Sequence, residues 1–177
     1  MRRGKKIAVL AHCILNQNAV VRGLARAPGA FANVVQLLLD YDVGIYQLPC
    51  PEFTFLGEAR PSRTRAEYDT PEYRAHCRIL AGQVAKELAE YVRHGYRIAA
   101  FIGIQESPSC DTLGTRGIFL KILLTLLADK KIHPPLKEIP LNYVEDPHEE
   151  ERFLLELEQL LVDRTQDGGT TGRREES

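Results

Sequence analysis

Several features are missing from this sequence, and each absence excludes a class of protein. No apolar run reaches the roughly 18 residues that a membrane-spanning helix needs, so no membrane partner is expected. There is no basic excess: 23 Lys and Arg stand against 24 Asp and Glu, for a net charge of -1. That leaves no electrostatic footing for a nucleic-acid polymer, whose binding needs a basic face. The one basic cluster, "MRRGKK", is short and reads as a solvated terminus. No two of the four cysteines are spaced CxxC, so the local chelate of a zinc ribbon is absent. There is no internal repeat, which argues against a solenoid.

A cleavable leader is not evident either. "IAVLAHCIL" follows a charged start, but it contains His12 and runs into "NQN" with no small-residue cleavage pattern. It reads as a first strand. A cytoplasmic location follows, where cysteines are thiols or metal ligands and not disulfides.

What is present is ordinary globular material. The chain has 177 residues, 44% hydrophobic and 27% charged. That is enough for one domain with a full core and no staples. Residues 6–12 read as strand one and are followed by a long loop. "AFANVVQLLLDY" has helical spacing, and "VGIYQLP" reads as strand two. A second long loop is expected from Cys50 to Asp69, and loops of that length inside a domain are usually functional or disordered. "DTPEYRAHCRILAGQVAKELAEYVRHG" is the clearest helix, with Thr70 as N-cap, Pro71 at its first position and Gly95 as its stop. "YRIAAFIGI" is strand three and "TRGIFLKILLTLLADKK" the next helix. "KEIPLNYV" is a fourth strand, placed at an edge by Pro140. "PHEEERFLLELEQLLVDR" is the last helix. Alternation of strand and helix predicts a three-layer α/β sandwich with a short, mostly parallel sheet, Rossmann-like or flavodoxin-like. One domain is expected over residues 1–164, and a disordered polar tail over 165–177.

The cysteines sort by position on that fold. Cys13 and Cys50 end strands one and two, and Cys110, in "SPSCD", lies in the loop after strand three. All three fall at the carboxyl edge of the sheet, where open α/β sheets bind ligands. Neighbouring strand ends are about 5 Å apart, so three distant thiols can converge there. Cys77 instead shares an apolar helix stripe with Tyr73, Ala81, Val84 and Leu88, and reads as core. Three cysteines without a fourth local ligand suit a [4Fe–4S] cluster with one open iron; histidine could complete a zinc site instead. His12 adjoins Cys13, but strand alternation is expected to point it to the opposite face.

The segments "AHCILNQN", "PCPEF" and "SPSC", together with "YDTPEYRAHCR", resemble the 2-thiouracil desulfurase (TudS) family, and more narrowly its branch of TudS-related desulfidases. The resemblance covers roughly residues 6 to 125. It implies that Cys13, Cys50 and Cys110 hold a [4Fe–4S] cluster, and that the free iron takes sulfur from a small thiolated substrate. It also implies acid–base or orienting roles for Glu52 and Ser107. Asn16 and Asn18 could hydrogen-bond a heterocyclic substrate or satisfy their own loop. Arg60 could hold an anionic substrate group or form a surface salt bridge. Asp111 stands where the founding branch tends to have glycine.

Other readings compete. The same three cysteines would serve a non-catalytic iron–sulfur module, a sulfur carrier or sensor, with no need of Glu52. A zinc protein is a further alternative. A cysteine-nucleophile hydrolase would need a phosphate-cradling glycine-rich loop or a Cys-X5-Arg loop, and neither is expected here.

Overall fold

The apolar stretch after the basic start forms β1 (Lys6–Leu10), and every residue in it after Lys6 is buried. Such near-continuous burial marks a strand covered on both faces. In the computed structural model, which describes residues 3–162, β1 is joined by β2 (Gly44–Gln47), β3 (Arg97–Ile104) and β4 (Leu136–Ile139). The sheet is wholly parallel, with order β2-β1-β3-β4. The tail expected at 165–177 lies outside the described residues.

Among the described residues seven α-helices flank the strands: α1 (His12–Leu15), α2 (Ala32–Asp40), α3 (Pro51–Leu56), α4 (Arg65–Tyr68), α5 (Pro71–Arg93), α6 (Ile118–Asp129) and α7 (Pro147–Val162). The main contacts pair α5 with α6 and α2 with α7, giving helix layers on the two sides of the sheet. This is the expected three-layer α/β sandwich, and its strand order is flavodoxin-like. One core joins the layers, built around Leu10, Phe101, Ile102, Phe119 and Leu123, all fully buried.

α5 follows its sequence signals. The Thr70 hydroxyl accepts the Tyr73 amide at 3.2 Å, Pro71 opens the helix, and Gly95 takes φ 78° just beyond its end. Tyr73, Cys77, Ala81, Val84 and Leu88 are buried, as their shared stripe predicts. β4 is an edge strand, as expected, but it stops at Ile139: Pro140 ends it, and the rest of the stretch read as strand forms a turn.

Two expectations are corrected. The segment from Cys50 to Asp69 is not one long loop: α3 and α4 fold within it. Cys50 and Pro51 start α3, and a reciprocal Thr64–Glu67 capping box starts α4. Strand one also ends at Leu10, not at residue 12. The chain turns into α1 there, so His12 obeys helical geometry and strand alternation does not apply to it.

The order of strands positions the site. From β1 the chain moves to β2 on one side, then crosses to β3 on the other. The direction reverses at β1, and a crevice opens at the carboxyl ends of β1 and β3.

Candidate functional site

Cys13 lies on the first turn beyond β1, Cys50 caps α3 beyond β2, and Cys110 sits in the loop beyond β3. All three line one cavity of about 550 Å³, together with His12, Glu52, Arg60 and Ser107. Its remaining wall is part aliphatic, from Ala19, Val20, Val21, Leu24, Ile104 and Leu141, and part polar or charged, from Gln17, Arg26, Arg63, Gln105, Glu106 and Glu145.

Each cysteine is held by local hydrogen bonds. The Cys50 sulfur accepts the Phe53 amide at 3.5 Å, as an N-cap side chain does. The Cys13 carbonyl accepts Gln17 Nε2 at 2.6 Å. The Cys110 amide donates to the Ser107 hydroxyl at 3.0 Å, and its carbonyl accepts the Ile104 amide at 2.9 Å. Ser107 therefore acts first as the brace of the Cys110 turn, while also facing the cavity.

The Cys110 loop is packed against backbone, which two glycines permit. A Cβ on Gly103 would lie 2.2 Å from the Cys110 carbonyl oxygen, and one on Gly117 would lie 2.4 Å from the Cys110 amide nitrogen. Neither neighbour is a flexible side chain that can swing aside. Gly103→Ala or Gly117→Ala is expected to cost about 1–3 kcal/mol, the usual scale of overpacking, and to displace Cys110. Gly82, exposed on α5 with nothing within 4 Å of its Cβ position, is the control. Its alanine variant should gain roughly 0.5–1 kcal/mol. Urea denaturation of the three variants tests this; equal stability at all three positions would refute the packing argument.

Burial dominates the thiols. It pushes Cys13 up to about 12, with the neighbouring Cys50 adding to the rise and Arg26 opposing it. Burial likewise raises Cys50. It raises Cys110 well above the usual thiol value, with Cys13, Cys50 and Glu52 adding to the shift. These thiols feel one another, which agrees with their shared cavity. A nucleophilic cysteine is instead held low by nearby cations or a helix end.

The spacing from Cys110 to Arg116 does fit Cys-X5-Arg, contrary to the expectation above. The loop is nevertheless no phosphate cradle. Its amides at Thr112 and Leu113 donate to the Glu138 carboxylate, and that at Gly114 donates to Asp111 Oδ1. Asp111 is thus a turn-forming residue in its own loop, and 6% exposed.

Glu52 and Arg60 form a pair beside Cys50. Arg60 Nε lies 3.6 Å from Glu52 Oε2, and their side chains are 2% and 13% exposed. Arg60 also donates to the Ala19 carbonyl at 2.6 Å and the Gly57 carbonyl at 3.2 Å. It therefore makes no surface salt bridge; it is a buried anchor for the segment that carries Glu52.

Asn16 and Asn18 are turned toward each other. Asn16 Oδ1 accepts both the backbone amide and Nδ2 of Asn18, and neither residue lines the cavity. Gln17 between them does, and it is 3% exposed. His12 lines the cavity too, with Nδ1 bonded to the Leu48 carbonyl at 3.1 Å. Cys77 is fully buried on α5 and outside the cavity wall, as expected of a core residue. It stands behind the site: Tyr73, one turn earlier, shares a 2.6 Å hydrogen bond with Ser109.

Among the described residues, no group of three or more His, Cys, Asp or Glu side chains is arranged to hold a metal ion. Ligands of a single zinc stand about 4 Å apart, whereas ligands on separate irons of a cluster are spaced more widely. The donor set, three soft thiols opening on one cavity, suits an iron–sulfur cluster in its chemistry.

The fold and site define an α/β protein with three separate thiols gathered at the carboxyl edge of a parallel sheet. No family model matches the chain. It is 41% identical over 159 residues to an uncharacterized protein, MJ0003, of Methanocaldococcus jannaschii, across 90% of this chain and 99% of that one. The chain belongs to the family of that protein. No solved structure matches it.

Proposed function

We propose that this protein removes sulfur from a small thiolated compound, converting C=S to C=O, with a [4Fe–4S] cluster held by Cys13, Cys50 and Cys110. The observation that carries the reading is the single cavity onto which three strand-end thiols and the Glu52 carboxylate all open. The resemblance of "AHCILNQN", "PCPEF" and "SPSC" to desulfidase segments points the same way.

When bound, the cluster supplies an iron without a protein ligand, a thiophilic Lewis acid suited to a thiocarbonyl sulfur. The rest is work for the chain. Glu52 takes the proton of the water that attacks the thiocarbonyl carbon. Arg60 holds that carboxylate through its ion pair and is itself held by two carbonyl anchors. Ser107 holds the Cys110 turn. The aliphatic wall takes the body of the substrate and limits competing water. Water enters and hydrogen sulfide leaves, so the exchange is a hydrolysis and needs no electron donor.

The cytoplasm is the compartment proposed, since the four cysteines are free and all three site thiols must stay reduced. Among the described residues no helix is long and apolar enough to cross a membrane.

Protein purified without oxygen is expected to absorb broadly in the visible and to contain iron and acid-labile sulfide in equal amounts, near four of each per chain. It should release sulfide from at least one member of a panel of thiolated bases and small thioamides. Colourless protein that takes up no iron on reconstitution would overturn the reading.

A further inference from the structure

Arg26 lines the cavity with Cys13 and is one of three arginines in its wall, beside Arg60 and Arg63. Its Nη1 donates to the carbonyls of Pro140 and Leu141, at 2.6 and 3.1 Å, just beyond β4. Its guanidinium carbon stands 5.3 Å from the centre of the Phe31 ring. Its backbone amide donates to Gln17 Oε1 at 2.8 Å, and Gln17 Nε2 donates in turn to the Cys13 carbonyl. One buried glutamine thus ties the first cysteine to the arginine, while the arginine head is pinned to the far edge of the sheet.

Apart from the cysteines and His12, the wall sets Glu52, Glu106 and Glu145 against Arg26, Arg60 and Arg63. Burial lowers the pKa of Arg26, and the charges of Cys13 and Glu145 oppose that. Glu145 is exposed and lines the same cavity. Arg26 is half-buried, whereas Arg60, the deeply buried cation of the wall, is already offset by Glu52 at 3.6 Å.

We propose that Arg26 is the charge-balancing residue of the thiol site: its fixed positive charge offsets the negative charge that Cys13, Cys50 and Cys110 carry with a bound cluster, and so sets the cluster's reduction potential and retention. This rests on the function proposed above. Three thiolates in a buried pocket are costly without a nearby cation, because the low-dielectric surroundings do not screen them. Net charge close to a cluster is also one of the levers on its potential. Reduction adds one negative charge, so a neighbouring cation favours the reduced form and a neighbouring anion opposes it.

Two variants should therefore move the potential in opposite directions. Arg26→Gln keeps an amide donor for the two carbonyls but removes the charge. Its midpoint should become more negative, and its cluster should be lost several-fold faster to a chelator. Glu145→Gln should shift the midpoint the other way and by less, since an exposed carboxylate is screened. Arg26→Lys, which keeps the charge, should stay near the wild type.

The experiment is a dye-mediated redox titration of the anaerobically reconstituted full chain, with chelator lability followed by absorbance and folding by circular dichroism. A midpoint unchanged in folded Arg26→Gln overturns the proposal, as does a shift of the same sign in both variants. Should Arg26→Gln fail to fold, Glu145→Gln decides alone, and no positive shift there overturns it. Wild-type protein that takes up no iron overturns the function and this inference together; a wild-type cluster with indistinguishable variants overturns the inference only.

Discussion

Iron binding is expected to vanish in Cys13→Ser, Cys50→Ser and Cys110→Ser, and to survive in Cys77→Ser. Each of the first three thiols opens on the cavity from a different strand end. Serine offers a hard, protonated oxygen where a soft thiolate is needed. With two ligands left, the cluster loses its third corner. Cys77 is fully buried on α5 and does not line the cavity, so its hydroxyl variant should cost about 1–3 kcal/mol of stability by burying an unmatched polar group. Iron and sulfide content, set beside urea denaturation, separates the two effects. Full iron in any of the first three variants removes that cysteine from the ligand set. Iron lost from a well-folded Cys77→Ser would mean that the fourth cysteine had been placed in the wrong group.

The second large effect is expected at Glu52. Glu52→Gln keeps the size of the side chain and an oxygen that can accept from Arg60, but it cannot take a proton. Sulfide release should fall roughly 100-fold or more, the scale of losing a general base, while cluster content stays at the wild-type level. Glutamine is preferable to alanine here because Arg60 is 6% exposed and 3.6 Å from the carboxylate. A smaller side chain would leave a buried cation without its partner, and breaking such a pair costs about 3–5 kcal/mol. Undiminished release by the glutamine variant would take Glu52 out of the mechanism. An intact cluster that releases sulfide from no compound, even in the wild type, would favour a sulfur carrier or sensor.

The sheet and the three cysteines were legible because their signals are local and strong. Strand apolarity, the Thr70–Pro71 start and Gly95 stop of α5, and Pro140 at the edge each act within a few residues. Short helices were harder. α3 and α4 are too brief to show periodicity, though a Cys-Pro-Glu start and the Thr64–Glu67 capping box were written in the loop. The roles of Arg60 and Arg26 were not legible. Arg60 is fixed by Ala19 and Arg26 by Pro140, partners 41 and 114 positions away, and no periodicity reports a contact of that kind. Gln17 was passed over for its asparagine neighbours, yet it is Gln17 that bridges Cys13 and Arg26.

The parallel order β2-β1-β3 has a consequence for how the site comes into being. A CxxC pair is a chelate even in an unfolded chain. Here the three thiols become neighbours only after β1 has found both β2 and β3, and parallel pairings of this kind close long loops and form late. A nascent or heat-loosened chain therefore offers a metal three isolated thiols and no pocket. Whatever the cavity binds, it binds the finished sheet alone, so occupancy feeds directly into the folding equilibrium. A loaded protein should resist unfolding in proportion to its ligand, and a chelator should act on it as a mild denaturant.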